Sequence, residues 1–332
     1  MRENHTPTIS VVATAYNSER HIVRFLKAMR DVLDQIDCLS EIVIVDDGSA
    51  DRTVEICLQY IAEHPGITLA KLSRNFGHEP AMVQGLKLAR GDFVFLIDSD
   101  LEEPPATLIE MLEVMGRGAP APDVVYGVQK TRNGTIQHTF FATAFYRLFG
   151  ALSDVEMPAD VLTVRLMTRR YVDALLLHEE RTLALFGVFS LTGFTQVPLL
   201  VDKHYKGYTT YSGLKRAGVF IRYLLVFSSK LPLLITATGI GTAFVAALYA
   251  FYVLINYVTA GRQVEGWTSL ALLFSFFNGL LLTCVGFCAA YLGYIFVEVK
   301  RRPNAIIQEI WHSGTATPGT VSVPRLKSPD GP

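Results

Sequence analysis

Two long stretches of this chain carry no charged residue: Leu231 to Gly261 and Gly266 to Val297. Each exceeds the roughly 20 apolar residues that cross a bilayer core. A helix of that length with no polar face does not suit an ordinary globular domain, where one side stays wet. The two stretches therefore predict two membrane helices, joined by a short loop around Arg262 and Glu265. A chain anchored in this way acts at a membrane surface.

The flanks predict the orientation. Lys215, Arg216, Arg222 and Lys230 precede the first stretch, and Lys300, Arg301 and Arg302 follow the second. Only Arg262 lies between them, so the positive-inside rule places both ends in the cytoplasm, as a multi-pass protein of the plasma (inner) membrane. The start, "MRENHTPTIS", has no apolar core of a signal peptide, which predicts that the N-terminal part is not exported. The mean hydropathy of +0.30 comes mainly from these stretches, and the net charge of −1 gives no footprint for nucleic acid. The four cysteines suit a reducing compartment; Cys284 and Cys288, one turn apart in the second stretch, have no His or carboxylate beside them and read as packing residues.

Before the membrane stretches, short β-rich runs alternate with helical patterns. "TISVVATAY", "EIVIVDD", "ITLAKLSR", "DFVFLIDSD" and "DVVYGVQ" read as strands, and Ser18 as a cap for a helix starting at Glu19. This alternation implies an α/β domain whose mainly parallel sheet is covered on both faces. Ligands of such sheets bind beyond the carboxyl ends of the strands. Asp46 and Asp47 end the second strand there, and Asp98 and Asp100 end the fourth, with Glu102 and Glu103 following. Two acidic pairs on one sheet edge predict a polar binding crevice. Ile136 to Ser153, rich in aromatics, reads as a helix packed on the sheet or lying against the membrane. Ser212 to Ser228 mixes cations with bulky apolar residues and suits an interfacial helix. The organisation expected is a catalytic-type domain over 1–200, a juxtamembrane segment over 201–230, two membrane helices over 231–303 and a largely disordered cytoplasmic tail over 304–332.

Asp-x-Asp at a strand end can offer two carboxylates to Mg²⁺ or Mn²⁺ while leaving coordination sites for a substrate diphosphate. Alone, that motif is weak. Here "TAYNSE", "IVIVDDGSADRT", "LSRNFGHEPAM", "GDFVFLIDSDLEEPP" and "DVVYGV" occur in an order that resembles the GT-A (Rossmann-like) fold, family-two glycosyltransferases. With the paired apolar stretches and "YLGYIFVEVKRRP", the chain resembles the polyprenyl-phosphate glycosyltransferases, relatives of dolichyl-phosphate mannosyltransferase, from about Thr8 to Pro303.

The resemblance implies a nucleotide-sugar donor, a polyprenyl phosphate acceptor, a divalent cation and a homo-oligomer. By position it implies that Tyr16, Glu19, Asp46, Asp47 and Arg74 line or face the nucleotide. Asp98 and Asp100 match the metal motif, with Asp98 also near the donor, and Glu102 stands where the family often has a Gln completing coordination. Arg165, in "VRLMTRR", matches an arginine of a later active-site motif. Three positions depart: Thr14 stands for the usual Pro, Gln129 for an Arg suited to the acceptor phosphate, and Thr163 for the Asp of the "GDFRLM" version. Arg132 or Lys130 is the expected replacement for the Arg, and Asp160 for the Asp. Lys203, His204 and Lys206 stand where the family carries basic residues, suited to lipid phosphate or to anionic headgroups. Other readings of the chain are a processive polysaccharide synthase, against which speak only two spans and no "QxxRW", and a non-catalytic membrane scaffold retaining the fold.

Overall fold

The computed structural model describes residues 6–117, 120–130, 161–180, 185–203, 230–260 and 266–313. The described chain forms two units, one built from the sheet and its helices and one containing the two long helices. Ile136 to Ser153, Ser212 to Ser228, Arg132, Asp160, His204 and Lys206 lie outside the described residues.

The first unit follows the expected alternation: β1 (Thr8–Ala15), α1 (Ile22–Leu33), β2 (Leu39–Asp46), α2 (Thr53–Glu63), β3 (Ile67–Leu72), α3 (His78–Leu88), β4 (Phe93–Asp98), α4 (Thr107–Arg117) and β5 (Val124–Gln129). Then come β6 (Val161–Thr168), α5 (Arg169–Leu175), α6 (Leu185–Leu191) and β7 (Gln196–Val201). The second unit holds α7 (Lys230–Ala260) and α8 (Trp267–Lys300), and β8 (Ile307–His312) returns to the first. One eight-stranded sheet has the order β7-β5-β6-β4-β1-β2-β3-β8. β1 lies parallel to both β2 and β4, and β3 parallel to β2. β6 is antiparallel to both β4 and β5, and β7 is parallel to β5. Hence β4, β5 and β7 all run the same way, and their carboxyl ends share one edge.

Alternation along the strands sorts the side chains into two cores. Val11 and Ala13 of β1, with Phe95 and Ile97 of β4, face α1, α2 and α4. Val12, Val94 and Leu96 face α3, α5 and α6 on the other side. That double coverage is why the strands read as continuous apolar runs. α1 is amphipathic, burying Ile22, Phe25, Leu26, Met29, Val32 and Leu33 on one face.

Two sequence readings change, and strands are added to the five read from the sequence. Ser18 does not cap a helix at Glu19: its hydroxyl donates to the Tyr16 carbonyl (3.3 Å), and α1 starts at Ile22. "QVPLLV" is a strand despite Pro198, because β7 lies at the sheet edge, where a missing N–H is tolerated. The segment after the second long helix does not belong wholly to a disordered tail. Ile307–His312 pairs antiparallel with β3, and Asn304 donates to the Glu180 carbonyl at 2.8 Å. Its alternation puts Trp311 against one core and Ile310 against the other, and it satisfies a sheet edge that would otherwise be open.

The long helices run for 31 and 34 residues. Within them, Pro232–Tyr249 and Phe276–Lys300 are long and apolar enough to cross a membrane, with mean hydropathies of 1.6 and 2.1 and no buried residues.

Candidate active site

β1, β2 and β4 deliver their last residues side by side, since Ala15 pairs with Asp46 and Thr14 with Asp98. Beyond them lies a cleft of about 320 Å³ lined in part by Thr14, Tyr16, Asp47, His78, Asp98 and Asp100. Tyr16 is 51% exposed on its wall.

The loops around the cleft are held by acids. Asp47 accepts the amides of Phe76 (2.7 Å) and Gly77 (2.9 Å), fastening the β3–α3 loop. Asp46 sits behind it, fully buried; Ser49 N donates to its Oδ2 (3.1 Å), while Oδ1 has no hydrogen-bond partner. Burial pushes both carboxyls above the usual range, despite the amides that favour their charge. Gly48 permits the close fit of the two loops. Its φ is +69°, and a Cβ there would come within 2.4 Å of the Arg74 carbonyl carbon. Glu19 accepts Arg52 N (3.2 Å), bracing the β2–α2 loop. Arg74 is exposed, with its guanidinium 4.1 Å from the Phe76 ring centroid.

On the β4 side, His78 Nε2 lies 3.1 Å from Asp98 Oδ1, and His78 Nδ1 lies 3.0 Å from the Thr14 hydroxyl. The Asp98 contact is an ion pair that draws the carboxylate and the imidazole together on the cleft wall. Burial alone would raise the Asp98 carboxyl, but His78, the Thr163 hydroxyl and Lys203 together hold it below the usual range. Burial alone would lower the His78 imidazole, but Asp98 raises it. Asp100 accepts Glu102 N at 3.0 Å across a turn in which Leu101 has a φ of +61°. Glu102 Oε2 is 2.9 Å from Lys203 Nζ.

Glu103 turns inward. It is 1% exposed; Thr163 N donates to its Oε1 (3.2 Å), and Oε2 is unsatisfied. Burial first, then the neighbouring charge of Asp98, pushes its carboxyl up to about 7. Arg165 is also buried, at 2% exposed, opposite Leu96 in the β4–β6 pairing. Its guanidinium donates to the Thr163 and Leu162 carbonyls (both 3.1 Å) and lies 3.4 Å from the Phe189 ring centroid. Burial lowers it to about 10, which still leaves it charged. Arg165 is thus placed behind the acids, supporting them from the sheet, and not on the open side of the cleft.

The structure therefore gathers Tyr16, Asp47, Asp98 and Asp100 at the cleft, and Glu102 beside them through Lys203. Asp46, Glu19 and Arg74 belong to the supporting loops. His78, readable from the sequence as a candidate phosphate contact, lines the cleft; Lys203, expected to suit lipid phosphate or anionic headgroups, meets Glu102; Glu103 has no role assigned from the sequence. His78 follows a strand that ends on the same edge, a signal the sequence does contain. Lys203 follows β7, a strand outside the five read from the sequence, and no local pattern shows that Glu103 is buried.

Among the described residues, no group of three or more His, Cys, Asp or Glu side chains converges into a ready-made metal cage. Asp98 and Asp100, two carboxylates that both line the cleft, nevertheless fit a hard cation that takes its other ligands from substrate phosphates.

The sequence profile described as "Glycosyl transferase family 2" matches residues 10–176, which contain every strand end of the cleft from β1 to β4. The chain belongs to glycosyl transferase family 2. A glycosyltransferase-named protein of Mycobacterium tuberculosis (strain CDC 1551) is 36% identical over 310 residues, covering 93% of this chain and 90% of that one. The SfII prophage-derived bactoprenol glucosyl transferase of Shigella flexneri is 31% identical over 306 residues, covering 91% and 97%. Among solved structures, S. aureus TarS 1–349 in complex with UDP-GlcNAc matches with a TM-score of 0.43 and 20% identity, over 66% of each chain. Within this glycosyltransferase, the departures Thr14 and Thr163 both lie at the site: Thr14 contacts His78, and Thr163 meets both Asp98 and Glu103.

Proposed function

We propose that this glycosyltransferase moves a hexosyl group from a nucleoside diphosphate sugar to polyprenyl phosphate, with inversion at the anomeric carbon. The observation that carries this reading is the Asp98/Asp100 pair at the cleft of a chain that also contains two helices able to cross a membrane. The names of its bactoprenol glucosyl transferase relatives support the lipid acceptor.

Tyr16 offers an aromatic wall to the nucleotide; Asp46 and Asp47, with Glu19 and Arg74, hold the loops that shape its pocket. Asp98 and Asp100 would hold Mg²⁺ or Mn²⁺, with Glu102 in reserve. When bound, the cation would supply Lewis-acid neutralisation of the departing diphosphate. An oxygen of the acceptor phosphate attacks the anomeric carbon as the bond to the diphosphate oxygen breaks, releasing the nucleoside diphosphate. A phosphate monoester has a second pKa of about 6, so the nucleophile is largely ionised near pH 7 and needs positioning more than a base. Asp160 is then dispensable as a base, and Arg132 is a candidate to meet the acceptor phosphate. Arg165 acts from behind, as fixed positive charge under the carboxylates.

The catalytic unit faces the cytoplasm of a plasma (inner) membrane crossed twice, and the enzyme assembles as a homo-oligomer. One feature of the sheet supports the hairpin topology. β8 lies beyond both long helices yet pairs with β3, so the chain on either side of them is on one side of the membrane.

A panel of nucleotide sugars with polyprenyl phosphate in detergent, followed by detection of lipid-linked product, tests this. One donor should give product, and Asp100→Asn should lower turnover by roughly 100-fold or more without changing the melting temperature. Full activity in EDTA would overturn the metal's role.

A further inference from the structure

Lys203 has a position that the pairing of side chains alone does not explain. Because β7 runs parallel to β5, and β6 is antiparallel to both β5 and β4, the chain leaves β7 at the same edge as β4. Two residues later Lys203 reaches back over the acids. Its Nζ is 2.9 Å from Glu102 Oε2, with side-chain exposures of 29% and 22%, so solvent screens the pair incompletely. Glu103 and Asp100 are near enough for their charges also to favour the ammonium. Four carboxyl groups, Asp98, Asp100, Glu102 and Glu103, occur within six residues. Among the described residues, Lys203 lies directly against Glu102 of this cluster and His78 against Asp98.

A cluster that must receive a divalent cation is strongly repulsive without it. A lysine suits the interim: its ammonium is a compact point charge on a flexible stem and can leave without breaking a rigid fork. A divalent cation entering beside Asp98 and Asp100 becomes the largest local charge and removes the pull on the ammonium. We propose that Lys203 is a resident counter-cation of the acid cluster, displaced when the divalent cation and donor diphosphate bind, and then free to meet the acceptor phosphate. The enzyme would thereby order its substrates, donor first and lipid second. This rests on the polyprenyl phosphate and metal reading given above.

Competition between Lys203 and the metal has a required sign. Whatever the metal does to the ammonium, the ammonium does to the metal. Mn²⁺ alone is titrated into the full-length protein in detergent and followed by electron paramagnetic resonance, without nucleotide or lipid. Lys203→Met should bind Mn²⁺ about tenfold more tightly than wild type, the equivalent of one 1.4 kcal/mol interaction. In turnover, the same variant should raise the KM for a short-chain polyprenyl phosphate about tenfold while leaving the KM for the donor unchanged or lower. Lys203→Arg should restore the acceptor KM towards wild type. A merely structural bridge would lower the melting temperature of Lys203→Met and leave Mn²⁺ affinity unaltered. Unchanged or weaker Mn²⁺ binding, or an unchanged acceptor KM, overturns the role of Lys203 while leaving the metal site in place. Failure of the wild type itself to bind Mn²⁺ overturns the metal reading, and this inference with it.

Discussion

Asp46 shows what a binding edge costs the unliganded protein. Its carboxyl is fully buried with one oxygen unsatisfied, and burial raises it above the ordinary value of 3.8 despite help from Ser49 and Lys71. A carboxyl raised on folding contributes stability that is complete below the unfolded value and lost as pH climbs through the folded one. Asp46→Asn, neutral throughout, should therefore melt higher than wild type near pH 7, at about 2–4 °C per kcal/mol recovered. That advantage should shrink as the pH falls towards 4 and wild-type Asp46 takes up its proton. Melting curves between pH 4 and 8 measure this, and an advantage that does not change with pH would contradict it. The variant should also bind nucleotide less well, because Asp46 and Ser49 set the turn behind the cleft. Arg165 is the complementary case: a guanidinium too basic to lose its charge at neutral pH, kept in the sheet by two carbonyls and the Phe189 ring.

At the scale of elements, β8 has the clearest consequence. It closes the β3 edge, and Ile310 and Trp311 each pack partly into a core. Ending the chain after Pro303 should open that edge and remove on the order of 3 kcal/mol of apolar burial. The expected loss is about 6–12 °C in Tm, with aggregation visible by size-exclusion chromatography as the bare strand finds other partners. Ending it after Ser313 retains β8 and should leave melting unchanged. Equal melting of the two truncations would mean that the strand contributes nothing to the sheet's stability.

For the whole molecule, the same strand ties topology to fold. Residues before α7 and after α8 share one sheet, so the number of membrane crossings between them must be even. Basic residues on the outer flanks and only Arg262 between the helices favour two crossings over none. A reporter placed after Pro332 and another inserted between Thr259 and Gly266 should report opposite sides of the membrane, the first cytoplasmic. Matching signals would show that the pair lies on the surface without spanning it.

The amino-acid sequence alone determined whatever depends on local pattern. Uncharged runs longer than a bilayer, strands buried on both faces and acids at two strand ends are visible residue by residue, because bilayer thickness and strand pleat impose short, regular constraints. It also sufficed to place Asp98 and Asp100 on the working edge. Tertiary structure alone decided the rest. "IQEIWH" is six residues long and its partner β3 lies more than two hundred positions earlier, so no local period could join them. Likewise, His78, Glu103, Arg165 and Lys203 owe their surroundings to contacts between separate elements. Whether a charged group is solvated, paired or buried depends on what the fold packs over it, and that desolvation sets its chemistry.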